Sequence, residues 1–142
     1  MSRPPKIIPN LRYEDPRTAI DWLCRAFGFV VNFVAEESGR GIVHAQLRLG
    51  SDLIMLGPAV ENDKHGLRSP LSLQGQSQSI CVALEDVDAH FARAKASEAV
   101  IVTPPHDSRF GARIYTCLDL EGHIWTFGNY WGEPMPVEQE SA

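Results

Sequence analysis

Residues 41–56 read GIVHAQLRLGSDLIML, and this stretch decides the fold of the chain. From Gly41 to Leu49 apolar and polar residues alternate, which predicts a strand with one face against a core. The residues Gly50-Ser51-Asp52 favour a tight turn, and Leu53–Leu56 predicts another strand. The stretch is therefore interpreted as two strands joined by a short turn.

The residues before this pair of strands predict a strand, a helix and another strand. Lys6–Tyr13 contains strand formers, and Asp15 followed by Pro16 is typical of the first turn of a helix. Apolar residues then recur at helical spacing until Gly28, which predicts the end of that helix. Phe29–Ala35 is strand-like, so the predicted order in this half is β, α, β, β, β.

The second half of the chain repeats this order. A shift of 71 residues places Glu14-Asp15 on Glu85-Asp86, and Gly57 on Gly128. A polar stretch without periodicity, at about residues 58–77, separates the halves. Because a repeated unit fixes the architecture of a chain, we predict one domain over residues 1–142. Module 1 spans about residues 5–60 and module 2 spans about residues 78–131.

The expected fold class is α+β, with two βαβββ modules. One helix covers only one face of four strands, so the other face of each module stays open. Two such modules side by side would form a curved eight-stranded sheet around an open cleft, with the helices outside. Partly apolar clefts are the usual ligand sites of proteins, so the cleft face is the first place to look for function.

Composition narrows the function classes. A chain of 142 residues fits a single domain, and a net charge of -5 without a basic stripe argues against binding to nucleic acid. The three cysteines are widely spaced and form no CxxC pair, which argues against a disulfide framework or a structural zinc site. No apolar run could span a membrane and no secretory signal is visible, so we expect a cytoplasmic protein.

Four stretches of the chain resemble the vicinal oxygen chelate superfamily, which includes glyoxalase I, the bleomycin-resistance proteins and the extradiol dioxygenases. The stretches cover nearly the whole chain, and the first and last are the most specific. They are IIPNLRYEDPRTAIDWLCRAFGF, IVHAQLRLGSDLIMLG, ALEDVDAHFARAKASEAVIV and FGARIYTCLDLEGHIWTFGNY. The usual last motif reads Asp-Pro-x-Gly-His, and Leu120 replaces its proline here. The likeness is to the small glyoxalase/bleomycin-resistance members.

The resemblance also implies where a metal ion would bind. Metal-dependent members carry a His, Glu or Gln ligand on the first and fourth strands of each module. The matching positions here are Ile8, Met55, Ser79 and Thr126. Isoleucine cannot coordinate a metal, hydroxyls are poor ligands, and a methionine thioether prefers soft ions. We therefore predict no metal site and no cofactor.

Strand parity predicts which residues face the cleft. On the first and fourth strands of each module, we expect the four family positions to face the cleft. The same face of these strands then carries Asn10, Arg12, Leu53, Cys81 and Ile124. On the third and seventh strands we expect the apolar face to pack on the helices, which leaves for the cleft His44, Gln46, Arg48, Arg113, Tyr115, Cys117 and Asp119. The predicted ligand-binding residues are Ile8, Asn10, His44, Gln46, Met55, Ser79, Arg113, Tyr115 and Thr126.

His44 and Tyr115 are the candidates for a catalytic role. His44 would act as a general base or orient a ligand, and the alternative is a polar histidine bonded to a neighbour. Tyr115 would donate a proton or bind the ligand, or would simply form part of the wall. Arg113 would clamp an anionic substrate, or lie solvated at a strand end. His90, on a helix face, is interpreted as solvated.

Two functions from different classes remain open. The first is a metal-free protein that binds a small apolar or aromatic molecule, with the acidic balance favouring a cationic guest. The alternative is a glyoxalase-like lyase, isomerase or dioxygenase with a relocated or absent metal, although lactoylglutathione lyase activity is not expected. The expected partner is a small molecule, and the resemblance implies a homodimer.

Overall fold

The computed structural model describes residues 3–134. Module 1 consists of β1 (Asn10–Tyr13), α1 (Pro16–Phe27), β2 (Val30–Glu37), β3 (Gly41–Leu49) and β4 (Asp52–Pro58). A short helix, α2 (Pro70–Leu73), lies between the modules. Module 2 consists of β5 (Ser79–Ala83), α3 (Val87–Ala96), β6 (Val100–Asp107), β7 (Arg113–Leu118) and β8 (Ile124–Gly128). The predicted order β, α, β, β, β is confirmed in both halves.

Each module forms its own four-stranded sheet. Sheet 1 has the order β1-β4-β3-β2, and sheet 2 has the order β5-β8-β7-β6. The α+β class and the two modules are confirmed, but among residues 3–134 no strand of one sheet pairs with a strand of the other. The eight strands therefore form two sheets instead of one. At the edge strand β1, the Arg12 carbonyl accepts a hydrogen bond from the His123 side chain, where a neighbouring strand would otherwise pair.

The helices begin and end as their sequences dictate. The Asp15 carboxylate accepts a hydrogen bond from the Thr18 N–H at 3.2 Å, and a proline fills the first turn, where no N–H is needed. Gly28 ends α1 with φ of 84°, a left-handed conformation that suits glycine. Asp86 caps α3 through the Ala89 N–H in the same way. Among the described residues, no helix is long and apolar enough to cross a membrane.

The two modules share one hydrophobic core. The ring of Phe27, at the end of α1, lies 5.2 Å from the Trp125 ring and 4.7 Å from the Phe127 ring on β8. The Trp22 indole N–H donates to the Ser97 carbonyl beyond α3 at 2.8 Å. Full burial of each large apolar side chain is worth roughly 1.5–3 kcal/mol. The helix-bearing faces of both sheets therefore meet inside the molecule, and the opposite faces carry the more exposed side chains.

The shift that relates the two modules is one residue smaller on their third strands, β3 and β7, than on their other paired strands. The pairing of β1 with β4 and of β5 with β8 keeps the shift of 71 residues. On the third strand of each module, Leu47 lies opposite Ile54 and Cys117 lies opposite Trp125, so Leu47 corresponds to Cys117 at a shift of 70. The turn between β7 and β8 is thus one residue longer than the turn between β3 and β4.

This difference of one residue corrects the predicted cleft face of β7. Side chains alternate along a strand, so a shift of one residue exchanges its two faces. Tyr115 and Cys117 have no exposed surface, and Asp119 is 3% exposed. The prediction that these three residues face the cleft is therefore wrong, because they lie on the helix-bearing face.

Candidate functional site

The open face of sheet 1 brings together four of the predicted ligand-binding residues. Asn10, Met55 and Gln46 are direct neighbours across β1, β4 and β3. The Gln46 side-chain nitrogen lies 3.3 Å from Nε2 of His44, and the Gln46 side-chain oxygen accepts a hydrogen bond from Asn32. Because an amide NH2 group only donates, Nε2 of His44 is the acceptor and carries no proton in this contact.

The surroundings of His44 suit hydrogen bonding to a ligand better than catalysis. The Phe33 ring lies nearby, with its centroid 6.4 Å from that of the imidazole. Within residues 3–134, no carboxylate makes a hydrogen bond with this imidazole. A catalytic histidine is usually oriented by a third group, often a carboxylate. The geometry therefore assembles no catalytic pair at His44.

The open face of sheet 2 carries short hydroxyl and thiol side chains. The hydroxyls of Thr116 and Thr126 lie 2.9 Å apart, and Cys81 is the neighbour of Thr126 across the sheet. Ser79 belongs to the same strand and face as Cys81. Ile8 lies just before β1, outside any strand, because β1 begins only at Asn10. This face therefore carries small polar groups.

Tyr115 is a core residue of module 2. Its ring stacks on Phe127 at 5.4 Å and meets the edge of Phe91 at 5.3 Å. Burial raises the pKa of the Tyr115 phenol far above its usual value. Burial, and secondarily the charge of Asp119, also raises the pKa of Cys117 to about 12. Neither group can ionise near neutral pH, so neither is a nucleophile or an acid in an open site.

Arg113 is held by two carboxylates. It bonds Asp88 on α3 at 3.0 Å and Asp107 at the end of β6 at 3.2 Å. Its guanidinium therefore binds acids of its own chain, on the helix-bearing side of the sheet. The predicted role as a clamp for an anionic ligand on the cleft face does not fit this placement.

His90 is the histidine that sequence reasoning missed. The sequence favours a solvated His90, yet its Nδ1 lies 2.5 Å from the Tyr115 hydroxyl and its Nε2 lies 3.2 Å from the Phe27 carbonyl. The carbonyl only accepts, so Nε2 carries the proton and Nδ1 accepts from the phenol. Burial lowers the pKa of His90, which keeps it neutral. The one signal in the sequence was its helical spacing with the buried residues Val87 and Ala94.

The turn between β7 and β8 binds the free edge of β1 and the two residues that follow this strand. The Glu121 carboxylate accepts from the backbone N–H groups of Glu14 at 2.6 Å and Asp15 at 2.9 Å. The His123 imidazole makes a 2.8 Å hydrogen bond to the Arg12 carbonyl. We call this contact of Asp119, Glu121 and His123 with β1 the latch. It supplies hydrogen bonds to backbone groups that no strand pairs.

A cavity of about 710 Å³ lies between the β3–β4 turn and β5, which are the counterparts of the β7–β8 turn and β1. Its walls come from residues 49–54 around the β3–β4 turn, from residues 80–84 of β5, and from Phe29, His90 and Trp131. Ile7 and Pro9, just before β1, complete the lining. We call this space the seam cavity, because it lies between the two modules.

The seam cavity is apolar on most of its surface. Asp52 is the one charged side chain among its lining residues, and His90 uses both ring nitrogens within the protein. Leu53 and Cys81, both predicted for the cleft face, contribute to the walls. None of the nine predicted ligand-binding residues lines this cavity. Its position depends on how the modules dock, which no strand pattern reveals.

The described part of the chain brings no metal-binding group of side chains together. In residues 3–134, no three His, Cys, Asp or Glu side chains come close enough to share an ion. At the four positions where metal-dependent relatives carry ligands, Ile8, Met55, Ser79 and Thr126 provide no suitable donor set. These four side chains therefore do not match the ligand set that the resemblance implies.

The two βαβββ modules place the chain in a class of proteins built from this pair. A profile of the glyoxalase/bleomycin resistance protein/dioxygenase superfamily matches residues 8–127, and the chain belongs to this superfamily. An uncharacterised protein of Mycobacterium bovis is 34% identical over 126 residues, which is 87% of this chain and 82% of that protein.

Solved structures show the same fold. TioX from Micromonospora sp. ML1 is 34% identical, with a TM-score of 0.69, and the match covers 87% of this chain and 94% of TioX. A glyoxalase/bleomycin resistance protein/dioxygenase family enzyme from Burkholderia phytofirmans PsJN is 18% identical, with a TM-score of 0.63. That match covers 84% of this chain and 93% of the Burkholderia protein.

Proposed function

We propose that this protein binds a small, largely apolar or aromatic molecule without the help of a metal ion. The observation that carries the proposal is the seam cavity, whose volume of about 710 Å³ falls in the range of small-molecule sites. Phe29 and Trp131 supply aromatic surface, and Leu53 and Ile80 supply aliphatic surface. The donor set at the four family positions supports a metal-free mode of binding.

The affinity for simple probes follows from the apolar area. A ligand that buries about 200 Å² of apolar surface gains about 5 kcal/mol. Loss of translational and rotational freedom removes part of that gain, and a net gain of about 4.1 kcal/mol corresponds to a dissociation constant of about 1 mM, so we expect dissociation constants of about 1–10 mM for a two-ring aromatic probe. A natural ligand that fills the cavity would bind more tightly.

Calorimetric titration with 2-(methoxymethyl)naphthalene tests this proposal. We expect one probe per chain, and loss of binding in Ser51→Trp, which fills the cavity from its exposed turn. Ser38→Trp places the same side chain on the β2–β3 turn, away from the cavity, and serves as the control. Equal binding by both variants would place the probe elsewhere, and no binding by the wild type would refute the proposal.

The polar row on sheet 1 is a second part of the proposal. Asn10, His44 and Gln46 lie on an open face with Met55, where they can bind the polar end of a molecule. We further propose that the chain works as a cytoplasmic homodimer, with the exposed apolar residues Phe33 and Val102 at its contacts. Sedimentation velocity at micromolar concentration distinguishes a dimer from a monomer.

Lactoylglutathione lyase activity is not part of the proposal. That chemistry uses a metal to hold vicinal oxygens and to stabilise an enediolate. A glyoxalase-like lyase, isomerase or dioxygenase reaction remains the alternative function, and it would have to use a relocated metal or none. Metal-dependent isomerisation of a hemithioacetal by the purified protein would favour that alternative.

A further inference from the structure

The latch and the seam cavity occupy equivalent positions in the two modules. The shift of 71 residues that relates β1 to β5 and β4 to β8 places Asp52 on His123 and Ala83 on Arg12. In the latch, the β7–β8 turn closes onto the edge of β1 through polar side chains. At the equivalent joint, the shorter β3–β4 turn stands opposite the edge of β5 and the seam cavity lies between them.

The backbone of β5 presents a hydrogen-bond acceptor to this cavity. The Leu84 N–H donates to the Gly128 carbonyl of β8 at 2.9 Å. In a trans peptide the N–H and the preceding carbonyl point in opposite directions, so the Ala83 carbonyl points away from β8. It therefore lies at the free edge of the strand, in a residue that lines the cavity. In the latch, the equivalent Arg12 carbonyl accepts the N–H of His123.

The charge of the cavity wall also favours a ligand that donates hydrogen bonds. At the place of His123, this joint has Asp52, which brings a carboxylate to a wall without Lys or Arg. His90 cannot donate to the cavity because its Nε2–H binds the Phe27 carbonyl. The wall thus combines a carbonyl and a carboxylate with apolar surface. A ligand that supplies a positively charged N–H donor on an aromatic body would complement all three.

We infer that the seam cavity selects aromatic amines in their protonated form, with the ammonium group placed between Asp52 and the Ala83 carbonyl. The ligand nitrogen takes the position that the chain fills with its own imidazole N–H in the latch. This inference rests on the proposed function and narrows it to one ligand class. Hydrogen bonds to charged groups are among the stronger polar contacts, so the amine outcompetes a neutral molecule of the same shape.

The test compares two probes of nearly equal size by calorimetry at low ionic strength, where charge effects are least screened. They are 2-(aminomethyl)naphthalene, which is protonated at neutral pH, and the neutral 2-(methoxymethyl)naphthalene. We expect the amine to bind roughly five-fold more tightly or better, and the preference to shrink to less than about two-fold in Asp52→Asn. Asp21→Asn removes the same charge from an exposed position on α1 and keeps the preference.

The outcomes separate this inference from the proposed function. Equal binding of the two probes to the wild type, or a preference that survives Asp52→Asn, overturns the inference and leaves an apolar site. Binding of neither probe, as when a second copy of the chain fills the seam cavity, overturns both the inference and the proposed function. As an independent readout, the amide nitrogen resonance of Leu84 should shift with the amine and not with the ether, because it senses bonding at the preceding carbonyl.

Discussion

The Asp119 carboxylate accepts four hydrogen bonds in the interior of the protein. One oxygen accepts from the Tyr13 hydroxyl at 2.6 Å and the Trp125 indole N–H at 3.0 Å. The other accepts from the backbone N–H groups of Glu121 and His123. Burial, and secondarily the charge of Asp119, raises the pKa of Tyr13, so the phenol remains a donor. One side chain thereby joins β1, the β7–β8 turn and β8.

Replacing Asp119 with Asn should destabilise the protein strongly. The Asn NH2 group would face donors, which leaves buried N–H or O–H groups without an acceptor at a cost of about 1–3 kcal/mol each. We expect Asp119→Asn to lower the free energy of unfolding by about 2–4 kcal/mol in urea titrations. Asp21→Asn, on the exposed face of α1, should change it by less than about 0.5 kcal/mol. A similar small effect for both would contradict this account of Asp119.

His90 should make stability depend on pH. Its pKa is lowered in the folded protein, so the unfolded chain binds a proton first as the pH falls. The contribution of neutral His90 is complete above the unfolded value of about 6.5 and is lost as the pH falls from there through the folded-state pKa. We expect the free energy of unfolding to fall between pH 7.5 and 5.5, by at most about 1.4 kcal/mol per pH unit from this group.

Two variants isolate the contribution of His90. In His90→Gln the pH dependence should become flatter, because the titrating group is gone. His106→Gln removes an exposed histidine and should keep the wild-type slope. If the slopes of wild type and His90→Gln coincide, another group causes the pH dependence.

At the scale of elements, the free edge of β5 can be tested with proline. The N–H of Val82 points towards β8, as does that of Leu84, whereas the N–H of Cys81 points to the free edge. Proline removes a donor, so Val82→Pro should be more destabilising than Cys81→Pro by at least about 2 kcal/mol. Urea titration of both variants measures the difference. Equal destabilisation would mean that the alternation along β5 is different from the one described.

Much of the element order could be predicted because caps and turns are local signals. Asp15, Gly28 and Asp86 fix helix ends through contacts within a few residues. The sequence pattern predicts the start of β1 too early, at Lys6. Pro9 has no N–H to give to a ladder, and the strand begins only at the next residue. The face of β7 could not be predicted, because one extra residue in the Asp119–His123 turn is invisible in an alternating pattern.

At the scale of the whole molecule, the absence of ligands at the four family positions predicts the metal content. We expect no stoichiometric metal in the purified, untagged protein by plasma mass spectrometry. Titration with nickel, zinc, manganese or iron(II) should show no saturable binding with a dissociation constant below about 1 µM. One tightly bound ion per chain would mean that residues outside positions 8, 55, 79 and 126 form a site, and the enzyme alternative would gain.

The seam cavity lies beyond sequence reasoning because it forms where two modules meet. Asn10, His44, Gln46 and Met55 share a face, as their parity predicts, since alternation along a strand is a local property. The seam cavity joins residues that are far apart in the chain, such as Asp52 and Trp131. Their proximity depends on how α1 and the aromatic rings of β8 pack, and no periodicity encodes that packing.

The unequal joints between turn and edge strand have a consequence for how such a protein changes over generations. The latch supplies the polar contacts of Glu121 and His123 with module 1. The contact between the β3–β4 turn and β5 is therefore not needed for these hydrogen bonds. Gly50 and Ser51 form a turn that can vary in length without breaking those bonds. After a module is duplicated, one copy of this contact can thus keep the two modules together. The sequence of the other copy can then change in ways that allow a different small molecule to bind.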